Sequence, residues 1–251
     1  MTAALKLSPN VSVVTVVLNA ESTIERTILS VIGQTYNNIE YLVIDGDSGD
    51  RTVELIKKYD RHIDYWASEP DNGHFDAMNK GAAAASGDYL LFMNAGDCFE
   101  QPDSLDKALR GSNSADLVYG RAVYVDRRGN LRRWHKDTPL PHELSDRSFL
   151  NGMVICHQCM IVRREIAPAY NLAWTISSDI DWAIRLMRTI ETKHFYDGTF
   201  CQYLDEGISN DHRMASVIQR FQICGQYFGW VRTIAEQFRM LWRCCKRLSI
   251  S

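Results

Sequence analysis

Apolar positions along the chain fall into short runs that alternate with stripes at helical spacing. Val11 to Leu18 is a β-branched run ended by Asn19-Ala20, and Ser22-Thr23-Ile24-Glu25 behind it has the capping-box spacing that opens a helix. Ile28, Val31 and Ile32 carry the stripe to Gly33-Gln34, and Ile39 to Ile44 is a second apolar run that ends at Asp45-Gly46-Asp47-Ser48-Gly49. A strand, a helix and another apolar strand in that order predict parallel pairing in a buried sheet. The alternation continues with a helix over Thr52 to Tyr59, a strand over Ile63 to Ala67, a helix from Phe75 to Ala85 and a strand over Tyr89 to Met93. Such regular interleaving predicts an α/β fold with a doubly wound, mostly parallel sheet. Its ligand site is expected at the carboxyl ends of the strands, that is at Asn19, Asp45, Ser68-Glu69 and Asn94 to Asp97.

The second half is less regular. Leu117 to Val125 and Leu131 to Trp134 flank Asp126-Arg127-Arg128-Gly129-Asn130 as a hairpin. Val154 to Val162 reads as a strand, Asp179 to Ile190 as a helix striped by Ile180, Ala183, Ile184 and Met187, and residues 135 to 153 as loop. From 212 onward Val217, Phe221, Cys224, Phe228, Val231, Ala235, Phe238, Trp242 and Cys245 recur at steps of four and three, an amphipathic helical face that Gly225 and Gly229 are placed to break or bend. The expected organisation is a domain over 1–211 and a helical tail over 212–251.

Composition narrows the class. The 251 residues, 45% hydrophobic and 24% charged, suit one folded α/β domain and exclude disordered or fibrous proteins. No apolar run approaches the ~20 residues of a membrane span, and Lys6 and Pro9 interrupt any secretory h-region, so a cytoplasmic protein is expected. Seven cysteines without a signal read as reduced, mostly buried thiols; Cys156-His157-Gln158-Cys159 lacks the second CxxC of a zinc ribbon. The net charge of −3 hides an asymmetry, since residues 212–251 carry seven basic residues against Glu236 alone, a tail of +6 on a body of −9. That points to an anionic surface and away from nucleic acid. The apolar tail face packs on the domain, lies on anionic lipid at the inner face of the cytoplasmic membrane, or pairs two copies into a homo-oligomer.

The candidate chemistry is made of carboxylates and amides. The first strand-helix turn, Val17-Leu18-Asn19-Ala20-Glu21-Ser22, has no glycine, which excludes the dinucleotide fingerprint, and no GxxxxGK[ST] is present. Asp45 follows the second strand, Asp71-Asn72-Gly73 and Asp76 the third, and Asn94-Ala95-Gly96-Asp97 the fourth. Carboxylates at adjoining strand tips hold a divalent cation or bind ribose and base edges, yet each is also a good turn former or helix cap. Asp179 and Asp181 open the later helix, where an acid serves as a general base or only favours the macrodipole.

Together these blocks resemble the family 2 glycosyltransferases of GT-A fold, over roughly residues 10 to 210. The residues that carry the likeness are Val13 to Asn19, Gln34-Thr35-Tyr36, Val43-Ile44-Asp45-Gly46, Ser68 through Gly81, and Ser86-Gly87-Asp88-Tyr89. The block from Glu69-Pro70-Asp71-Asn72-Gly73 to Asn79-Lys80-Gly81 looks most like enzymes of bacterial exopolysaccharide and O-antigen assembly, including the fucosyltransferase type of colanic acid synthesis. The resemblance implies that Thr15, Asn19 and Asp45 line a nucleotide pocket, that Asp76 and Asn79 sit near ribose and diphosphate, and that the Asp-x-Asp signature falls on Asn94 to Asp97. There the chain departs from pattern: Asn94 and Gly96 stand where acids are usual, leaving Asp97 as the metal-binding acid, and Gly46 replaces a second aspartate. Mg²⁺ or Mn²⁺ is the implied cofactor, with His157 or His212 as further ligands or as ordinary structural residues. Asp179 matches the base that deprotonates the acceptor hydroxyl, with inversion at the sugar, and Trp182 and Arg185 either touch substrate or pack. The expected activity is transfer from a UDP- or GDP-sugar to a lipid-linked saccharide in surface polysaccharide synthesis. A non-catalytic sugar-nucleotide or glycan-binding subunit is the alternative, and a nucleotidyltransferase on a similar sheet a third.

Overall fold

A computed structural model of the chain describes residues 8–134, 144–205 and 213–248. The expected alternation is present: β1 (Val11–Val17), α1 (Ile24–Ile32), β2 (Ile39–Asp45), α2 (Thr52–Lys58), β3 (Tyr65–Ser68), α3 (His74–Ala84) and β4 (Tyr89–Phe92). All seven residues of β1 are buried, as a central strand covered on both faces requires. β1 lies parallel between β2 and β4, with Val17 opposite Asp45 and Val14 opposite Phe92. The carboxyl ends of these strands therefore open on the same edge. Helix α1 starts where expected but without a capping box: no side chain caps it, and the Glu25 carboxylate instead accepts from Lys58 Nζ and Tyr59 Oη at 2.7 Å each.

The second half adds β5 (Cys98–Phe99), α4 (Ser104–Leu109), β6 (Leu117–Val125), β7 (Leu131–Trp134), β8 (Met160–Arg163), α5 (Ser178–Thr189) and β9 (Lys193–Leu204). The strands form a single sheet in the order β3-β2-β1-β4-β8-β6-β9-β5, with β7 hairpinned on β6. It is parallel through β3-β2-β1-β4; β8 then runs antiparallel to both β4 and β6. The run from Val154 yields strand only from Met160, because His157–Cys159 form a 3-10 turn tucked under the end of β4. β9 is the element that periodicity does not announce. Its apolar pattern is broken by Asp197-Gly198, and its register against β6 shifts twice.

Cys98, Cys156, Cys159, Cys201 and Cys224 are free thiols, all but Cys156 fully buried. Beyond residue 212 the chain forms two helices, α6 (Arg213–Phe228) and α7 (Trp230–Leu248), parted at Gly229, whose φ of +83° suits glycine. Gly225 stays helical beneath the Trp230 ring. The break splits the expected single face. Ile223, Cys224 and Thr233 are buried, whereas Val231 and Phe238 are 86% and 67% exposed. Tyr227 Oη donates to Asp181 Oδ1 of α5 at 2.8 Å, and Arg188 of α5 donates to Tyr227 O at 3.1 Å. No helix among the described residues is long and apolar enough to cross a membrane. His212 lies outside the described residues.

Candidate active site

A cavity of about 480 Å³ opens at the carboxyl ends of the parallel strands. Leu18 and Asn19 after β1, Asn94 and Asp97 after β4, Gly73 and His74 at the start of α3, Asp179 of α5 and Leu204 of β9 form its walls. Three segments far apart in sequence meet here because β1 and β4 are paired and the turn before β8 closes against β4.

The Asn94–Asp97 turn hangs from β1 through Ala95 N–H donating to Val16 O at 3.1 Å. Gly96 sits at φ +102°, and a Cβ there would come within 2.7 Å of Leu204 Cδ2. An acid at this position has neither the backbone conformation nor the space. Asp97 is 4% exposed, and both of its oxygens are engaged: Oδ1 accepts from Leu204 N–H at 2.8 Å and Oδ2 from Gln158 Nε2 at 2.7 Å. Burial pushes its carboxyl up to about 7, against the pull of those two bonds and of the Arg26 charge. This donor set does not fit a hard divalent cation, which takes several unengaged, mostly charged oxygens. Among the described residues no three His, Cys, Asp or Glu side chains stand close enough to hold a metal ion.

Asp179 occupies the first turn of α5 and lines the cavity. Burial raises its carboxyl to about 6, offset in part by the Ile180 N–H that donates to Oδ1 at 2.9 Å. A carboxylate that ionises just below neutrality is suited to take a proton from an alcohol at a cleft wall. Asp181, one turn-face away, is spent on structure: Oδ2 accepts from Arg185 Nε and Oδ1 from Tyr227 Oη, both at 2.8 Å. Trp182 is 1% exposed and stacks on Tyr170 at 5.3 Å between ring centroids. Neither Trp182 nor Arg185 lines the cavity. His157 does line it; burial drives its pKa down to about 3, so the ring is neutral, and its Nε2 faces Asn94 Nδ2 at 3.2 Å.

Of the residues expected at the site, Asn19, Asn94, Asp97 and Asp179 share the cavity, and Thr15, Asp45, Asp76 and Asn79 do not line it. Asn19 holds φ +48° and clamps the first turn, its Oδ1 accepting from Gly49 N–H at 2.9 Å. Thr15 is fully buried and donates to Met93 O at 2.8 Å. Asp45, equally buried, accepts from Ser48 Oγ at 2.5 Å and Ser68 Oγ at 2.6 Å. Asp76 accepts from Asn72 N–H at 3.0 Å at the mouth of α3, and Asn79 exchanges two hydrogen bonds with the Tyr170 backbone at 2.7 and 2.9 Å. The inward polar groups of a strand or helix covered on both sides have to be satisfied within the protein.

Two further residues enter the site: Asp71, one of the strand-tip carboxylates expected to hold a cation or bind ribose and base edges, and a residue that pattern reading does not select. Asp71 lines the cavity, and its Oδ2 lies 2.5 Å from where a Gly46 Cβ would be. The glycine that replaces a second acid after β2 thus makes room for a carboxylate arriving from the loop before α3. The other is Gln158, which reaches Asp97 across 61 residues of sequence.

The Glycosyl transferase family 2 model matches residues 12–170. An uncharacterized glycosyltransferase of Mycobacterium tuberculosis (strain CDC 1551) is 34% identical over 224 residues, 84% of this chain and 80% of that protein. A PGL/p-HBAD biosynthesis glycosyltransferase of Mycobacterium bovis BCG is 31% identical over 190 residues, 71% of this chain and 70% of that one. Among solved structures, S. aureus TarS 1–349 in complex with UDP superposes with a TM-score of 0.66 at 15% identity, covering 87% of this chain and 70% of that one. A Pyrobaculum calidifontis mannosyltransferase in complex with GDP-Man and Mn²⁺ does so at 0.63 and 15%, covering 86% and 64%. Both share the fold of this chain.

Proposed function

Because the chain belongs to glycosyl transferase family 2 and is by that membership a glycosyltransferase, we propose that it moves a hexosyl or deoxyhexosyl group from a UDP- or GDP-sugar to a hydroxyl of a saccharide acceptor, with inversion. The nucleotide lies over the tips of β1 and β2, with Asn19 and Asp71 at its ribose and base. The sugar points toward β4. Asp179, across the cavity, takes the proton of the acceptor hydroxyl as its oxygen attacks the anomeric carbon from the face opposite the diphosphate. Thr15, Asp45, Asp76 and Asn79 hold the surrounding strands and turns through their hydrogen bonds rather than touch the donor. That Asp179 lines the same cavity as Asn19, Asp71 and Asn94 carries this reading.

The structural neighbour from Pyrobaculum is in complex with GDP-Man and Mn²⁺. Here Asp97 is the single acid of the turn, buried with each oxygen already accepting a hydrogen bond from Leu204 or Gln158, a poor donor set for a cation, and no step is assigned to a metal. The acceptor is a lipid-linked saccharide of bacterial surface polysaccharide synthesis, a reading supported by the biosynthetic relative and by the tail. The exposed Val231, Ile234 and Phe238 of α7, beside Arg232 and Arg239, suit a peripheral position on an anionic cytoplasmic membrane face.

Incubation with a panel of UDP- and GDP-sugars and lipid-linked acceptors, read as nucleoside diphosphate release and product mass, tests the activity. Absence of both transfer and donor hydrolysis, with donor binding retained, would mean a non-catalytic binding subunit. Pelleting with anionic vesicles that survives Val231→Ser/Phe238→Ser would remove α7 as the membrane contact.

A further inference from the structure

Two amides on the cavity wall are held so that their nitrogens are used and their oxygens are not. Gln158 is 2% exposed, and its Nε2 donates to Asp97 Oδ2 at 2.7 Å while Leu204 N–H donates to Oδ1. With its nitrogen on Asp97, the amide stands with Oε1 turned away from that carboxyl. Asn94 Nδ2 stands 3.2 Å from Nε2 of His157; a neutral ring with its proton on Nδ1 accepts there, leaving Asn94 Oδ1 over. His157 is itself held edge-on to Phe92 and Tyr170. Asn94 Oδ1 and Gln158 Oε1 are both buried with no hydrogen-bond partner among the described residues, and both side chains line the cavity.

Resting on the transferase reading above, we propose that Asn94 Oδ1 and Gln158 Oε1 accept hydrogen bonds from hydroxyls of the transferred sugar, which makes Gln158 a specificity-determining residue of the donor site. Two buried acceptors without partners call for donors, and a sugar ring supplies O–H groups. A divalent cation is the competing occupant. It is disfavoured because both oxygens are neutral, Asp97 is engaged on each side, and position 96 has no side chain. The nucleobase is disfavoured by topology. In the order β2-β1-β4-β8, Gln158 precedes β8 and lies beyond β4, on the opposite side from the β1 and β2 tips.

The test is calorimetric binding by the full chain of UDP, UDP-glucose, UDP-N-acetylglucosamine, GDP, GDP-mannose and GDP-fucose, each with and without Mn²⁺. For whichever nucleotide binds, Gln158→Met is expected to weaken the sugar-bearing form by about tenfold, and the bare diphosphate by less than about twofold. A deoxy donor that lacks the contacted hydroxyl loses the same factor on the wild type and nothing more on Gln158→Met. If loosening Asp97 prevents Gln158→Met from folding, Asn94→Ala carries the same comparison. Equal loss for sugar-bearing and bare forms, or no loss at all, overturns the proposal. So does tighter Mn²⁺ binding by Gln158→Glu together with Mn²⁺-dependent donor affinity in the wild type. If the wild type binds none of the six ligands, the transferase reading fails first and takes this one with it.

Discussion

Replacing Asp179 by Asn tests the chemistry most directly, because the structure sets both the size and the pH dependence of the effect. Burial at the cavity wall lifts the carboxyl from 3.8 to about 6, which corresponds to about 3 kcal/mol of extra proton affinity. That basicity is available to an acceptor hydroxyl while the group is still mostly ionised at neutral pH. The expected wild-type kcat/KM is flat above about pH 7 and falls about tenfold per unit below about pH 6. In Asp179→Asn the kcat drops by about 10²- to 10⁴-fold, the acid limb disappears, and donor affinity stays within about twofold, since Asp179 meets the acceptor. The assay is nucleoside diphosphate release over about pH 5 to 8 at constant ionic strength, paired with donor binding at each pH. The pairing separates Asp179 from Asp97, whose carboxyl is raised to about 7 on the donor side. An Asp179→Asn enzyme with wild-type kcat, or a wild-type rate that rises toward acid, would refute the assignment.

Asp97 has its own pH signature. Its folded value of about 7 lies above the ordinary carboxylate value of 3.8, so its contribution to stability is fully present below about pH 4 and is lost as pH rises through about 7. Asp97→Asn should flatten the fall in melting temperature between about pH 5 and 8; an unchanged slope would count against a buried, titrating carboxyl. Gly96→Ala forces a positive φ on a side chain that meets Leu204 at 2.7 Å, and should cost about 2–4 kcal/mol in urea unfolding, where less than about 0.5 would be a failure. Gly46→Ala meets the carboxylate end of the Asp71 side chain at 2.5 Å and Leu18 Cδ1 at 3.5 Å, with no backbone in the way. It should change stability by under about 1 kcal/mol while weakening donor binding several-fold, and unaltered donor affinity would take Asp71 out of the site.

The parallel half of the fold is legible because its residues answer to one constraint at a time. Val11 to Val17 is apolar but for Ser12 and Thr15 because the strand is covered on both faces, and Gly33 and Gly73 stand at helix boundaries. β9 is illegible for the opposite reason. Lys193 to Leu204 mixes exposed and buried positions around Asp197-Gly198, and only its slipped pairing with β6 makes it a strand. The site divides along the same line. Asp179 is marked by its place at a helix start, but the partners that engage Thr15 and Asp45, Met93 and Ser68, carry no local mark. Gln158 has no local mark at all. Its meaning comes from Asp97, from which it is separated by most of β5, α4 and the β6-β7 hairpin.

The docking of α6 on α5 bears on how this protein can be cut and recombined. Asp181 is 2% exposed and shares its carboxylate between Arg185 and Tyr227. A shortened version that stops ahead of α6 would strand half of that buried carboxylate on the very helix that presents Asp179. A chimera that borrows its tail from a relative inherits the same mismatch unless α5 is exchanged with it. α6 and the helix bearing Asp179 make one transplantable module.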